Sequence, residues 1–294
     1  CEAPAQRLVM DRGACAGVIV ARGGREVAVA ARRGVVLAAG GYEFSASMLR
    51  RWAEGEPVLA LGSPGNTGDG IRMAAGAGAE LWHMHSYSCC LGTPVPGSAA
   101  ACMATIKHPG VIWVDQDGRR FVNEKGVDLH GCLYEVNGYD KARGRYPRIP
   151  CYAVMGASAV AAGALTRGLK GSGWASVEDG FRWSDDNRAE IAAGMVAEAP
   201  TLAALARKLE IPAGALEATV ARWNADVAAG EDTEFHRPLA RAPGAREAYL
   251  ELAAQTLSAP LDAEGPYYAV PLYPALINTQ GGPRKTADGQ VVGA

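Results

Sequence analysis

No apolar run in this chain approaches the roughly 18 residues needed to cross a bilayer. The opening Cys1-Glu-Ala-Pro has neither the basic start nor the apolar stretch of a secretory leader. An excess of one charge is also missing. The 29 basic and 31 acidic residues leave a formal net charge of -2, which gives no field for nucleic acid or an anionic membrane. None of the seven cysteines is spaced Cys-x-x-Cys, and an odd number scattered over 294 residues reads as reduced thiols in a cytoplasmic setting. The one dense group, His83-Met-His85 followed by Cys89-Cys90, reads as an accidental cluster in a loop, so no metal is expected.

What is present suits one or two globular domains with a sizeable core, at 49% hydrophobic and 20% charged residues. Gly34-Val-Val-Leu-Ala-Ala-Gly-Gly41 predicts an apolar strand buried on both faces over Val35 to Ala38, ending in two glycines. Gly65-Asn-Thr-Gly-Asp-Gly70 predicts a second glycine turn. It places Asp69 at the start of a helix running to Leu81, as a ligand-facing carboxylate, as an N-cap, or as both.

Residues 7 to 38 read as a β-meander broken at Asp11-Arg-Gly13 and at Gly23-Gly24. Ser45 is placed to cap a helix from Ala46 to Glu54. From Trp82 to Gly110 the pattern dissolves into Cys, Ser, Thr, Pro and Gly, which predicts a long, site-lining loop. Val111 to Val114, the turn Asp115-Gln-Asp-Gly118 and Arg119 to Val122 predict a hairpin ending in Asn123-Glu124, with Glu124 tying it down. Thr201 is placed to cap a helix from Leu202 to Leu209, and Pro212 fits the first position of the next. In that second helix Leu216, Val220, Trp223 and Val227 make one apolar stripe.

The order and spacing of these pieces resemble the flavoprotein subunit family of fumarate reductase and succinate dehydrogenase, which includes flavin-dependent 3-ketosteroid dehydrogenases. In that family a strand ending Ala-Thr-Gly-Gly precedes Thr-Gly-Asp-Gly and a helix rich in Ala and Gly. Its hairpin ends in the pattern matched here by Arg120-Phe-Val-Asn-Glu124. Residues 201 to 238 are similar to the helical hairpin of its capping domain. Gly265-Pro-Tyr-Tyr-Ala269 and Tyr273-Pro-Ala-Leu-Ile-Asn-Thr-Gln-Gly-Gly282 resemble its return strands.

The resemblance implies an α/β fold class. A partial FAD-binding, Rossmann-like domain with a β-meander is expected over residues 1–89, a helical α+β substrate-capping domain over 90–277, and a return segment over 278–294. It implies FAD, a small-molecule substrate, and an electron donor or acceptor outside this chain. Nucleic acid and transmembrane segments have no part in it.

The Gly-x-Gly-x-x-Gly turn that opens a dinucleotide fold is missing, and Gly76-Ala-Gly78 follows a helix rather than a strand. The family's final segment is not found either, so an internal fragment of a longer flavoprotein is expected. Ala5, Ala39, Gly40, Gly68, Asp69 and Thr279 match family positions on the flavin side.

In the fumarate-reducing branch the substrate clamp and acid fall at positions occupied here by Cys90, the 103–107 motif, Asp128 and Asn278, which argues against fumarate. Asn278, His108 and Asp128 are the candidate catalytic residues, with Asp128 and His130 a potential carboxylate-imidazole pair. The expected reaction is hydride transfer between flavin and a carbon-carbon bond beside a carbonyl or carboxylate. A 3-ketosteroid-type dehydrogenase is one alternative, although Tyr87, Tyr134, Tyr152 and Tyr273 form no diagnostic motif. A non-catalytic small-molecule-binding remnant of a flavoprotein is another.

Overall fold

The computed structural model describes residues 2–104, 106, 108–128, 130–166, 180–239 and 258–293. Lys107, which closes the 103–107 motif, lies outside them. The chain divides into two compact units, one of Cys1–Glu54, Gly62–Ser88 and Leu276–Ala294, the other of Gly55–Leu61 and Cys89–Ala275.

In the first unit the expected meander forms as three antiparallel strands, Ala5–Asp11, Ala14–Arg22 and Arg25–Ala30. Gly23 and Gly24 join the second and third strands with φ of +56° and +73°, the left-handed region a two-residue hairpin requires. The strand expected over Val35 to Ala38 does not form, and Val36 is 90% exposed. Among the described residues no strand pairs with this segment, so its backbone lacks the neighbours that a buried strand needs.

Ser45 stands at the N-cap of the helix Ala46–Trp52 with its hydroxyl 3.3 Å from Ser47 Oγ rather than capping a backbone N–H, and the helix stops two residues short of Glu54. Met48 from this helix joins Tyr42, Ile71 and Met84 in a small core. The next helix, Asp69–Gly76, ends before Leu81, because Gly76 and Gly78 weaken it and Gly78 takes φ +89°. Leu81–Trp82 pairs instead with Gly282–Pro283 as a two-stranded ribbon.

The second unit is built on a sheet in the order Cys102–Met103, Tyr87–Thr93, Tyr267–Thr279, Cys151–Gly156, Val111–Val114, with Leu59–Ala60 and Ala197–Ala199 also paired to the 267–279 strand. The ends Tyr87-Ser88 and Leu276 to Thr279 belong to the first unit. The long loop expected from Trp82 to Gly110 is corrected here, since the 87–93 strand runs through it and is buried from Ser88 to Thr93. Its small residues allow close approach: a Cβ on Gly92 would lie 2.9 Å from both Ala275 Cβ and the Cys102 carbonyl oxygen.

The 115–118 turn is as expected, closed by Gly118 N–H donating to the Asp115 carbonyl at 3.0 Å. The second arm of that hairpin shrinks to one bridge, Val114 with Arg120, because Arg120 turns into a buried ion cluster. Thr201 caps Leu202–Leu209 by accepting from Ala204 N–H at 3.1 Å. Pro212 is the N-cap of Ala213–Ala229, one position before the first helical residue. Leu216, Val220 and Trp223 bury against Ile112, Val154 and Leu205. Each such side chain contributes about 1.5–3 kcal/mol of hydrophobic stabilisation. No helix among the described residues is long and apolar enough to cross a membrane.

Candidate functional site

Three chain segments meet in the first unit: the 39–44 segment, the 65–70 turn and the end of the 267–279 strand. Tyr42 N–H donates to Thr279 Oγ1 at 2.8 Å, Gly68 N–H to the Gly41 carbonyl at 2.9 Å, and Phe44 N–H to the Asn66 carbonyl at 3.1 Å. Ala39 and Gly40 are exposed beside them. At Gly40, φ is +73° and a Cβ would sit 2.0 Å from Asn66 Oδ1, so the junction requires glycine there. Gly281 faces a harder limit, with a Cβ placed 2.4 Å from the His83 carbonyl oxygen and from Met84 Cα.

Gly68, with φ +83°, is the N-cap of the 69–76 helix, and Asp69 is its first helical residue. The alternative reading of Asp69 as the N-cap is thereby corrected. Its carboxylate, about half exposed, pairs with Arg72. Arg72 also donates to the Thr67 carbonyl at 2.7 Å, which fixes the turn from the helix side. Thr279 is half-buried, and Asn278 beside it is exposed.

Ala5 and Asp69, 64 positions apart in sequence, line one groove of about 680 Å³ together with Arg7, Leu8, Arg72 and Met73. That volume lies within the ordinary range of small-molecule sites. Its lining offers a carboxylate to accept from hydroxyls, guanidiniums for an anion, and aliphatic and thioether surface for a flat ring.

His108 and Asp128 belong to the second unit. His108 Nδ1 accepts from Gly110 N–H at 3.1 Å, which leaves Nε2 as the protonated nitrogen of a neutral ring. Burial pushes its pKa down, the Asp262 carboxylate opposes this and the Lys125 ammonium adds to it, so the ring is neutral at neutral pH. Asp128 is exposed, with Oδ1 accepting from His130 N–H at 3.0 Å. The His130 imidazole lies 4.0 Å away, outside hydrogen-bond range, so the pair meets through the backbone of a turn. Cys90 is wholly buried in the 87–93 strand.

Glu124 ties down the hairpin as expected. Its Oε1 accepts from Trp113 N–H at 3.0 Å and Arg120 Nε at 2.9 Å, and its Oε2 from Arg120 Nη2 at 3.0 Å and Arg237 Nη1 at 3.3 Å. Sequence reading passed over Lys125, whose pKa burial and the neighbouring Arg237 push down to about 8 against the pull of Glu124. It also passed over Glu43, Asn66 and Arg237. The pairing of Glu124 with a guanidinium more than a hundred positions away left no local pattern to read. Among the described residues no group of three or more His, Cys, Asp or Glu side chains is arranged to hold a metal ion.

The chain is 29% identical, over 97% of its length and 50% of the relative's, to a 3-oxosteroid 1-dehydrogenase of Mycobacterium tuberculosis. It is 28% identical, over 84% of its length and 35% of the relative's, to a fumarate reductase (cytochrome) of Shewanella frigidimarina. Its fold matches the crystal structure of 3-ketosteroid Δ1-dehydrogenase from Sterolibacterium denitrificans in complex with 1,4-androstadiene-3,17-dione. That match has a TM-score of 0.75 and 25% identity, and covers 99% of this chain and 51% of that one. The chain spans about half the length, or less, of the curated relatives it matches. The family described as FAD binding domain matches residues 1–294, the whole chain, and the chain belongs to that family of FAD-binding flavoproteins.

Proposed function

We propose that the first unit holds FAD and that the protein is an oxidoreductase acting on a carbon-carbon bond beside a carbonyl or carboxylate. The observation that carries this reading is the groove shared by Ala5 and Asp69, whose carboxylate, guanidiniums and apolar surface suit the ribose, phosphate and ring of a dinucleotide. Asp69 accepts from hydroxyls of the cofactor, while Ala39, Gly40 and Gly68 offer backbone that can be approached closely. When bound, FAD supplies the two-electron chemistry, exchanging a hydride with carbon.

The remaining roles fall to this chain's side chains. Asn278 donates its amide to the oxygen that activates the substrate, and Thr279 contacts the flavin. His108 donates through Nε2, and Asp128 serves as an exposed proton acceptor. Cys90, Asp128 and Asn278 stand where the fumarate-reducing branch carries its clamp, so the substrate is not fumarate. In this reading residues 1–89 and 278–294 form the flavin domain and 90–277 the capping domain, with the electron donor or acceptor outside the chain. The likeness to the two ketosteroid enzymes favours a cyclic ketone as a second, narrower reading of the substrate.

The test is to purify the natural full-length polypeptide and record its visible spectrum. A flavin spectrum, followed by bleaching on anaerobic addition of a 3-oxosteroid but not of succinate, supports the reading. A colourless protein that takes up no added FAD overturns it.

A further inference from the structure

Glu43 is 1% exposed, and among the described residues no Lys, Arg or His approaches its oxygens within ion-pair distance. Burying a carboxylate away from a cation costs several kcal/mol unless hydrogen bonds replace its water. Here two do. Asn66 Nδ2 donates to Oε1 at 2.5 Å, and Thr279 Oγ1 donates to Oε2 at 3.3 Å while accepting from Tyr42 N–H at 2.8 Å.

The backbone around this carboxylate is shaped to admit it. A Cβ on Gly41 would lie 2.1 Å from Thr279 Oγ1 and 2.6 Å from Glu43 Oε2, and one on Gly62 would lie 2.7 Å from Glu43 Oε1. The 39–44 segment and the 65–70 turn are already stitched together by backbone bonds, but the Thr279 end of the long strand is held to them through side chains. Glu43 thus joins the segments that carry Ala39, Gly40, Gly68, Asp69, Asn278 and Thr279.

We infer that Glu43 is a positioning residue for the flavin: by holding Asn66 and the Thr279 hydroxyl at once, it sets the spacing of the backbone that faces the cofactor. The inference rests on the FAD reading above. Glutamine fills the same volume, but it removes the charge that strengthens both bonds and turns one of the two acceptor oxygens into a donor, so the latch is weakened.

The experiment is a double-mutant cycle on FAD affinity in the natural full-length protein stripped of cofactor, with Glu43→Gln, Thr279→Val and the two combined. The melting temperature of each apo-protein is recorded alongside. Each single substitution is expected to weaken FAD binding about tenfold, and the double to be no weaker than the worse single, because both remove one latch. FAD affinity of Glu43→Gln within about twofold of the unsubstituted protein, or strictly additive effects, overturns the inference. If Glu43→Gln does not fold, Asn66→Ala, which removes the other donor to Glu43, decides: weaker FAD binding with an unchanged apo melting temperature supports the latch, and an affinity within about twofold of the unsubstituted protein overturns it. If the unsubstituted protein takes up no FAD, the flavin reading itself fails and this inference falls with it.

Discussion

Arg120 and Asp232 face each other through two hydrogen bonds, Nη1 to Oδ1 at 3.0 Å and Nη2 to Oδ2 at 2.9 Å, with side chains 1% and 0% exposed. The same guanidinium lies 4.5 Å from the centre of the Trp223 ring, and Arg237 lies 4.7 Å from that ring. This buried network ties the 111–124 region to the 213–229 helix. Asp232→Asn leaves Arg120 short of one counter-charge in a dry site, and is expected to destabilise the protein by about 3 kcal/mol. Thermal unfolding followed by Trp fluorescence checks this. An unchanged melting temperature would show that Glu124 alone satisfies Arg120.

The pH dependence of stability follows from the same pair. Although burial raises the Asp232 pKa, its bonds to Arg120 and to the Arg237 and Phe235 amides outweigh that and hold it at about 2, below the ordinary value of 3.8. A carboxylate depressed on folding contributes stability above its unfolded pKa and loses it as pH falls through its folded one. The contribution, about 2 kcal/mol, is expected to disappear between about pH 4 and pH 2. Acid titration of the melting temperature should show that drop in the natural protein and a shallower one in Asp232→Asn.

His108 gives the opposite type of group and a second window. Its pKa is depressed by burial, so the folded state resists protonation, and stability falls as pH drops below the ordinary value of 6.5. Lys125 adds to that depression. Lys125→Met is therefore expected to raise the His108 pKa, read by NMR titration of the ring protons; no movement would mean that the Lys125 charge has no part in setting it.

Sequence periodicity showed the helical hairpin well, because Leu216, Val220 and Trp223 recur on one helical face and the core they enter lies within reach of that pattern. The meander was legible for a similar reason, since Gly23-Gly24 writes its turn locally. The 87–93 strand was not legible. Its small Ser, Cys and Gly residues lack the β-branched and aromatic signature of a strand, and Gly92 is favoured there by close packing against Ala275 and Cys102, a tertiary fact with no local trace. Val35 to Ala38 shows the converse, an apolar run with no partner strand among the described residues. At the candidate site the glycines and Asp69 could be read, but Glu43 could not, because its partner Thr279 is 236 positions away.

Gly281 sets a steric test of the return segment. An alanine Cβ would sit 2.4 Å from backbone atoms of His83 and Met84, which cannot yield as a flexible side chain would. Gly281→Ala is expected to cost about 1–3 kcal/mol through overpacking. Gly76→Ala, where a Cβ meets nothing within 4 Å, is expected to be neutral or stabilising. Melting temperatures of the two variants compared side by side check the contrast.

Titration of FAD into the cofactor-free natural protein, unsubstituted and as Asp69→Ala, tests most directly whether the groove bearing Asp69 holds the cofactor. The unsubstituted protein should take up FAD and quench its fluorescence, and Asp69→Ala should bind about tenfold more weakly while still folded, the loss of one charged hydrogen bond. Equal affinity in the two proteins, or no uptake by either, would contradict it.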